Sequence, residues 1–166
     1  MLELQKFLFE KEPSRKELVT YTASKEQKRY QIQVYRNHSF ELVEHTISAY
    51  LDYAKMQVNF LYSDYDDSLS FFQLDSNTDM LILWLDMKRY QIDAIEEFLK
   101  ERLKTLLSIY KRPILCLLLG KTMEYQHVVF YDFHSIEEKL GNAYFDERLE
   151  KISGTRLSAK ACMMIA

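Results

Sequence analysis

Several short stretches carry side chains able to do chemistry. Ser39 stands in "RNHSFEL", where a strand-like run turns into a helix-like one. A serine there is a nucleophile only if a base takes its proton. Asp132 and His134, in "YDFHS", are two residues apart and so share one face of a strand end, a spacing that offers such a base. Asp64 and Asp66, in "LYSDYDDSLS", bring two carboxylates just past an apolar run. Lys88 and Arg89, in "LDMKRY", offer two cations that would hold a phosphate or carboxylate. Each has a plainer reading as well. Ser39 reads as a helix N-cap worth ~1 kcal/mol, a role Asn37 would take if Ser39 lined a pocket. The acidic pair reads as a loop, Lys88 and Arg89 as a solvated one, and Asp132 with His134 as a turn and a helix start. His38 and His45 flank the first long helix without further ligands at metal spacing, so no metal site is expected.

These residues need elements to place them. "RYQIQVY", "VNFLYS", "DMLILWLD", "ILCLLL" and "HVVFYDF" read as strands at about 30–36, 57–62, 80–85, 114–119 and 127–132. "DMLILWLD" is nearly all apolar, as a strand covered on both faces is. Val43, Ile47, Tyr50 and Ala54 recur at helical spacing, and Ile92, Ile95, Leu99, Leu103, Leu106 and Tyr110 line a longer helix, with Glu96 and Lys100 as an i,i+4 pair. Shorter helices are expected before Pro13, from about Ser135 to a C′ glycine at Gly141, and from Ser158 onward. The segment from Ser14 to Lys28 reads as a second short helix or a linker. Strand and helix alternate, which predicts an α/β fold: a three-layer, mostly parallel five-stranded sheet with helices on both faces. One connection conflicts. Only "GKTMEYQ" separates the fourth strand from the fifth, and a parallel crossover ordinarily takes a dozen or more residues. Either these strands pair antiparallel or residues are missing near 120–126.

Composition narrows the function classes. The chain has 166 residues, 48% hydrophobic, with 22 basic and 25 acidic side chains. That suffices for a cored domain, and no basic stripe points to nucleic acid. No apolar run approaches the ~20 residues of a membrane span, and the start lacks a signal-peptide core, so the expectation is a cytoplasmic protein off the membrane. Cys116 and Cys162 are far apart and read as thiols, not a disulfide or zinc framework.

In sheets of this type ligands bind beyond the carboxyl ends of the strands. "RNHSFEL", "WLDMKRY" and "ISGTRLSAKA" together resemble the SGNH-hydrolase layout, also written as SGNH/flavodoxin-like. That family has a Gly-Asp-Ser nucleophile turn, a Gly-x-Asn-Asp oxyanion turn and an Asp-x-x-His base element. Here Ser39 follows Asn37 and His38, and the oxyanion turn reads Asp86, Met87, Lys88, Arg89. Ser153 stands at the aspartate's position and Arg156 at the histidine's. Arginine does not deprotonate in proteins. Losing an oxyanion donor costs about 10²–10³ in rate.

These departures resemble the N-terminal, degenerate SGNH-like domain of FkbH-like proteins. "NHSFELVEHT", "YDDSLSFF", "DMLILWLDMKRY" and "FDERLEKISGTRLSAKACMMIA" carry the resemblance, over roughly residues 30–166. It implies an SGNH-like domain at 29–166, behind the helical extension read at 1–28, and a haloacid-dehalogenase-type domain downstream. That second domain would hold Mg²⁺, with no cofactor in this fragment. "RLSAKACMMIA" opens a helix with no C-cap signal, in keeping with a chain cut from a longer protein.

The implied role is accessory: transfer of a small acyl or glyceryl unit to an acyl carrier protein in polyketide or surface-polysaccharide biosynthesis. The fragment is expected to be inactive alone, within a phosphatase-like, carrier-loading parent. Ser39 is the candidate catalytic residue, and Asn37, His38, Asp86, Lys88, Arg89 and Arg156 are candidate binding residues. The expected partners are the downstream domain and an acyl carrier protein. Two alternatives stay open. One is a serine esterase or acyltransferase using Ser39. The other is a phosphotransferase, because Asp64-x-Asp66-x-Ser68 resembles the haloacid-dehalogenase signature. The hydroxyl ending the next strand and the late acidic pair of that signature are absent.

Overall fold

A computed structural model describes residues 2–24 and 27–166 of the chain. In chain order these are α1 (Leu2–Phe9), α2 (Arg15–Val19), β1 (Lys28–Arg36), α3 (Glu41–Tyr53), β2 (Met56–Tyr62), β3 (Met80–Asp86), α4 (Ile95–Ile109), β4 (Ile114–Leu119), β5 (Val129–Asp132), α5 (His134–Leu140), α6 (Glu147–Ser153) and α7 (Ala159–Ile165). The strands form a single parallel sheet in the order β2-β1-β3-β4-β5, with helices around it, an α/β three-layer fold as the alternation predicts. β3 is buried along nearly its whole length, which accounts for its unbroken apolar sequence.

The chain divides into two compact units. One comprises Met1–Tyr30, Ser39–Val58 and His134–Ala166; the other comprises Gln31–His38 and Asn59–Phe133. The second holds most of the sheet. Leu99, Leu103 and Leu106 of α4 share a core with Leu81, Leu83 and Leu85 of β3 and with Cys116 and Leu118 of β4. The i, i+2 spacing of the strands and the three-to-four-residue spacing of the helix face one another there. The helix is shorter than the periodicity predicts. Ile92 is 43% exposed and lies ahead of it. The Glu96–Lys100 pair forms at 2.9 Å, and Lys121 joins the same carboxylate at 3.0 Å.

In the other unit, Leu8 of α1 and Leu18 of α2 pack with Ala49 of α3. The polar segment after Pro13 does contain a helix. Ser14 caps α2 through a capping box with Glu17. Past α2, the buried Asp52 carboxylate on α3 accepts hydrogen bonds from Tyr21, Ser24 (2.8 Å) and Gln27.

The short connection between β4 and β5 resolves in a way neither expectation foresaw. The two strands pair parallel, Leu115 with Val129 through Leu118 with Asp132. Residues 120–128 return to the start of β5 without a helix. Nine extended residues reach about 30 Å, while a six-residue strand such as β4 needs about 20 Å. The usual minimum length is set by the crossover helix, and an extended strap escapes it. Gly120 takes φ 82 at its start and His127 φ 61 near its end. Met123 is buried in the core, with Tyr125 and Val128 packed beside it. β5 consequently begins at Val129, two residues later than the sequence pattern suggests.

α6 is the element the sequence reading left out. Asp146 caps it through the Arg148 N–H, and Gly154 closes it at φ 73. Asp146 and Gly154 were the available signals.

Candidate functional site

The order β2-β1-β3 makes the carboxyl ends of β1 and β3 the switch point of the sheet, where ligands bind in such folds. Asn37, one residue past β1, does not cap α3. Its Nδ2 donates to the Asp86 carbonyl (3.0 Å), and the Asp86 N–H donates to Asn37 Oδ1 (2.8 Å). The Asn37 N–H continues the ladder to the Trp84 carbonyl at 3.3 Å. Arg89 donates to the Asn37 carbonyl at 3.2 Å and lies 4.0 Å from the Asp86 carboxylate. Asp86 Oδ1 accepts from the Lys88 N–H at 3.1 Å, which shapes the single turn Met87–Arg89. Asp86 is 1% exposed, whereas Lys88 is open to solvent. In this unit, then, the structure brings Asn37, Asp86 and Arg89 into direct contact.

His38 is fully buried. Its ring stacks on Trp84, with centroids 4.6 Å apart and planes 19° apart, and Phe133 meets the indole edge-on at 5.9 Å. Tyr90, just past the turn, shares a 2.8 Å hydrogen bond with Ser68, and burial pushes its hydroxyl up to about 12.

Ser39 belongs to the other unit and is only 5% exposed. It does not cap α3 either. Phe40 occupies the N-cap position with no side-chain cap. The Ser39 hydroxyl instead donates to the Glu41 carboxylate at 2.5 Å, and its N–H donates to the Gly154 carbonyl at 3.3 Å. That second bond joins Ser39 to the "SGTRLS" turn. Within the turn, the Ser153 hydroxyl donates to the Thr155 carbonyl at 3.4 Å. The Arg156 guanidinium lies 3.9 Å from the centroid of the Phe145 ring, and the Arg156 carbonyl accepts from the Asp146 N–H at 2.9 Å. The sequence reading missed Glu41 as the partner of Ser39. The signal was a carboxylate two residues on in the same turn, "SFE".

The chemistry of this arrangement is limited. A guanidinium donates but takes no proton.

The remaining candidates make local contacts of their own. Asp132 accepts from Thr122 at 3.2 Å. His134 opens α5, 68% exposed and 3.2 Å from Glu138. His45 is exposed on α3. Asp64 and Asp66 are exposed around the 3-10 turn Tyr65–Asp67 that follows β2, an outer strand of the sheet. Among the described residues no three His, Cys, Asp or Glu side chains are placed to hold a metal ion. Nor is any described helix long and apolar enough to cross a membrane.

No protein-family model matches the chain, and no curated protein does. Among solved structures the chain resembles the crystal structure of the N-terminal part of the protein BF1531 from Bacteroides fragilis, containing a phosphatase domain complexed with Mg. The TM-score is 0.69 at 12% identity, over 92% of this chain and 54% of that one. At that identity the likeness establishes a shared fold, and this chain spans about half the length of its neighbour.

Proposed function

We propose that this chain is the accessory SGNH-like domain of an FkbH-like protein and does not itself catalyse acyl transfer. It would work in the cytoplasm beside a haloacid-dehalogenase-type domain, which would hold Mg²⁺ and load a small acyl or glyceryl unit onto an acyl carrier protein. The observation that carries this reading is the state of Ser39. Its hydroxyl is buried and bonded to Glu41, and its amide is bonded to the turn in which Arg156 stands at the hydrolases' base position. Supporting it, the chain shares its fold with about half of a solved N-terminal part of a protein, and that part contains a phosphatase domain. In this role Lys88 and Arg89 are the groups offered to an acyl or phosphoryl ligand, with Asn37 and Asp86 holding their turn in shape.

The test is activity-based labelling. The purified chain is incubated with a fluorophosphonate probe and, separately, with p-nitrophenyl acetate. No stoichiometric labelling and no turnover above the Ser39→Ala variant are expected. Labelling at Ser39 together with esterase activity lost in Ser39→Ala would replace this reading with a serine esterase. A Mg²⁺-dependent phosphatase rate abolished by Asp64→Asn would replace it with a phosphotransferase.

A further inference from the structure

Two buried polar atoms beneath the loop after β2 have no hydrogen-bond partner among the described residues. One is the Tyr35 hydroxyl of β1, and the other is Oδ2 of Asp67 in the loop. Tyr35 is fully buried and Asp67 is 9% exposed. The second oxygen of that carboxylate is satisfied. Asp67 Oδ1 accepts from the Ser70 hydroxyl and from the Phe72 N–H (3.2 Å). The two orphaned atoms are neighbours. Leu69 and Phe71 of the same loop share a core with Tyr35, and the Phe71 ring meets the Tyr35 ring edge-on at 5.1 Å. The charge of Asp67 adds to burial in pushing the Tyr35 hydroxyl above the ordinary tyrosine range, so that hydroxyl keeps its proton and stays a donor.

A buried polar group left without a partner is costly, and a carboxylate oxygen more so. Direct closure of the pair is opposed by the way the loop is tied down. Arg102 of α4 donates to the carbonyls of Leu69 (2.6 Å) and Ser70 (3.1 Å). Gln33 of β1 donates from Nε2 to the Gln73 carbonyl at 2.7 Å, and its Oε1 accepts from the Asp75 N–H at 3.0 Å. Phe71 takes φ 59 to bury its ring. Sliding the loop until the carboxylate met the hydroxyl would break bonds already made. Two polar groups held close but apart are the ordinary setting of a bridging water.

We propose that one buried water molecule joins the Tyr35 hydroxyl to Asp67 Oδ2 and so latches the loop to the sheet. The water donates one O–H to the carboxylate and accepts the phenolic proton at its oxygen, which satisfies both orphaned atoms. A metal ion fits less well. A protonated phenol is a poor ligand, and among the described residues no three His, Cys, Asp or Glu side chains converge. The latch also reaches the crevice of this unit, because Ser68, next to Asp67, shares its hydrogen bond with Tyr90. This inference is independent of the accessory role proposed above.

The experiment is a crystal structure of the whole chain at a resolution that orders internal waters. One water within about 3.2 Å of both oxygens is expected. Direct contact between the two oxygens, or no density between them, overturns the proposal. Hydrogen exchange tests the latch in solution, comparing the unaltered chain with Tyr35→Phe, which keeps the ring and removes the hydroxyl. The Phe72 amide, bonded to Asp67, should exchange about five- to tenfold faster in the variant, with the amides of Leu103 and Leu106 in α4 unchanged. Unchanged exchange at Phe72, or equal acceleration in α4, overturns the latch. The crystal structure needs no variant, so it decides even where Tyr35→Phe does not fold.

Discussion

The side chain of Asn37 and the backbone of Asp86 exchange two hydrogen bonds, at 3.0 and 2.8 Å, and so pin the end of β1 to the end of β3. An asparagine side chain presents the same donor and acceptor pair as a peptide group, so it extends the ladder past the point where the chain leaves it. Asn37→Ala should leave the Asp86 N–H and carbonyl buried without these partners and lower stability by about 2–4 kcal/mol. Asn37→Asp loses the Nδ2 donor and should fall on the same side. Urea unfolding followed by the fluorescence of Trp84, the chain's single tryptophan, measures both.

Asp52 and Tyr21 set opposite pH limits on the N-terminal segment. Burial would raise the Asp52 carboxyl, but hydrogen bonds from Tyr21 and Ser24 and the charge of Lys55 outweigh it and hold the group below its ordinary value. A lowered carboxyl stabilises the fold above the unfolded value of about 4, and that stability is lost as pH falls through the folded value. Tyr21 behaves oppositely. Burial, then the bond to Asp52, pushes it up to about 12. Its contribution is complete below about pH 10 and is lost as pH rises from there toward 12. Urea midpoints measured against pH should flatten at the acid end in Asp52→Asn and at the alkaline end in Tyr21→Phe.

Arg102 should matter for shape and not only for charge. Its guanidinium fork reaches two carbonyls of the loop, at Leu69 and Ser70, and lies 5.4 Å from the Phe71 ring centroid. A lysine cannot reproduce that fork. Arg102→Lys should therefore destabilise nearly as much as Arg102→Ala, by about 1–3 kcal/mol. Faster hydrogen exchange confined to residues 67–73 is the readout.

The thiols should be silent until the protein opens. Burial pushes Cys162 up to about 12 and raises Cys116 further. The thiolate is the reactive form. Labelling by a thiol reagent at pH 8 should track unfolding, at rates set by the opening of each site. Cys116 and Cys162 lie in different compact units, so mass spectrometry of the two sites compares how readily each unit opens.

The sheet was legible because its pattern is one-dimensional. An unbroken apolar run as short as residues 80–85 fits a strand covered on both faces, and leucines three to four residues apart over fifteen residues fit one buried helix face. The parallel β4–β5 pair was not legible, because crossover length constrains topology only when the crossover is helical. At the candidate site, sequence placed Ser39 beside the "SGTRLS" turn through a resemblance, and the structure joins them through the Gly154 carbonyl. It could not show which side chains use their hydrogen bonds locally. Ser39 and Asn37 were both good caps by type, and both serve other partners, Glu41 and Asp86. Those choices are made by tertiary contacts, which residue type alone does not encode.

The helix-free strap between β4 and β5 also bears on the order in which the sheet assembles. Leu115 meets Val129 across a short span of chain, whereas Ile32 must find Met80 across one more than three times as long. By loop-closure entropy the longer closure costs about 1 kcal/mol more. The β4–β5 edge is thus the nearly local part of an otherwise non-local sheet. It should close early in folding, leaving the β1–β3 junction, where Asn37 meets Asp86, as the slow step.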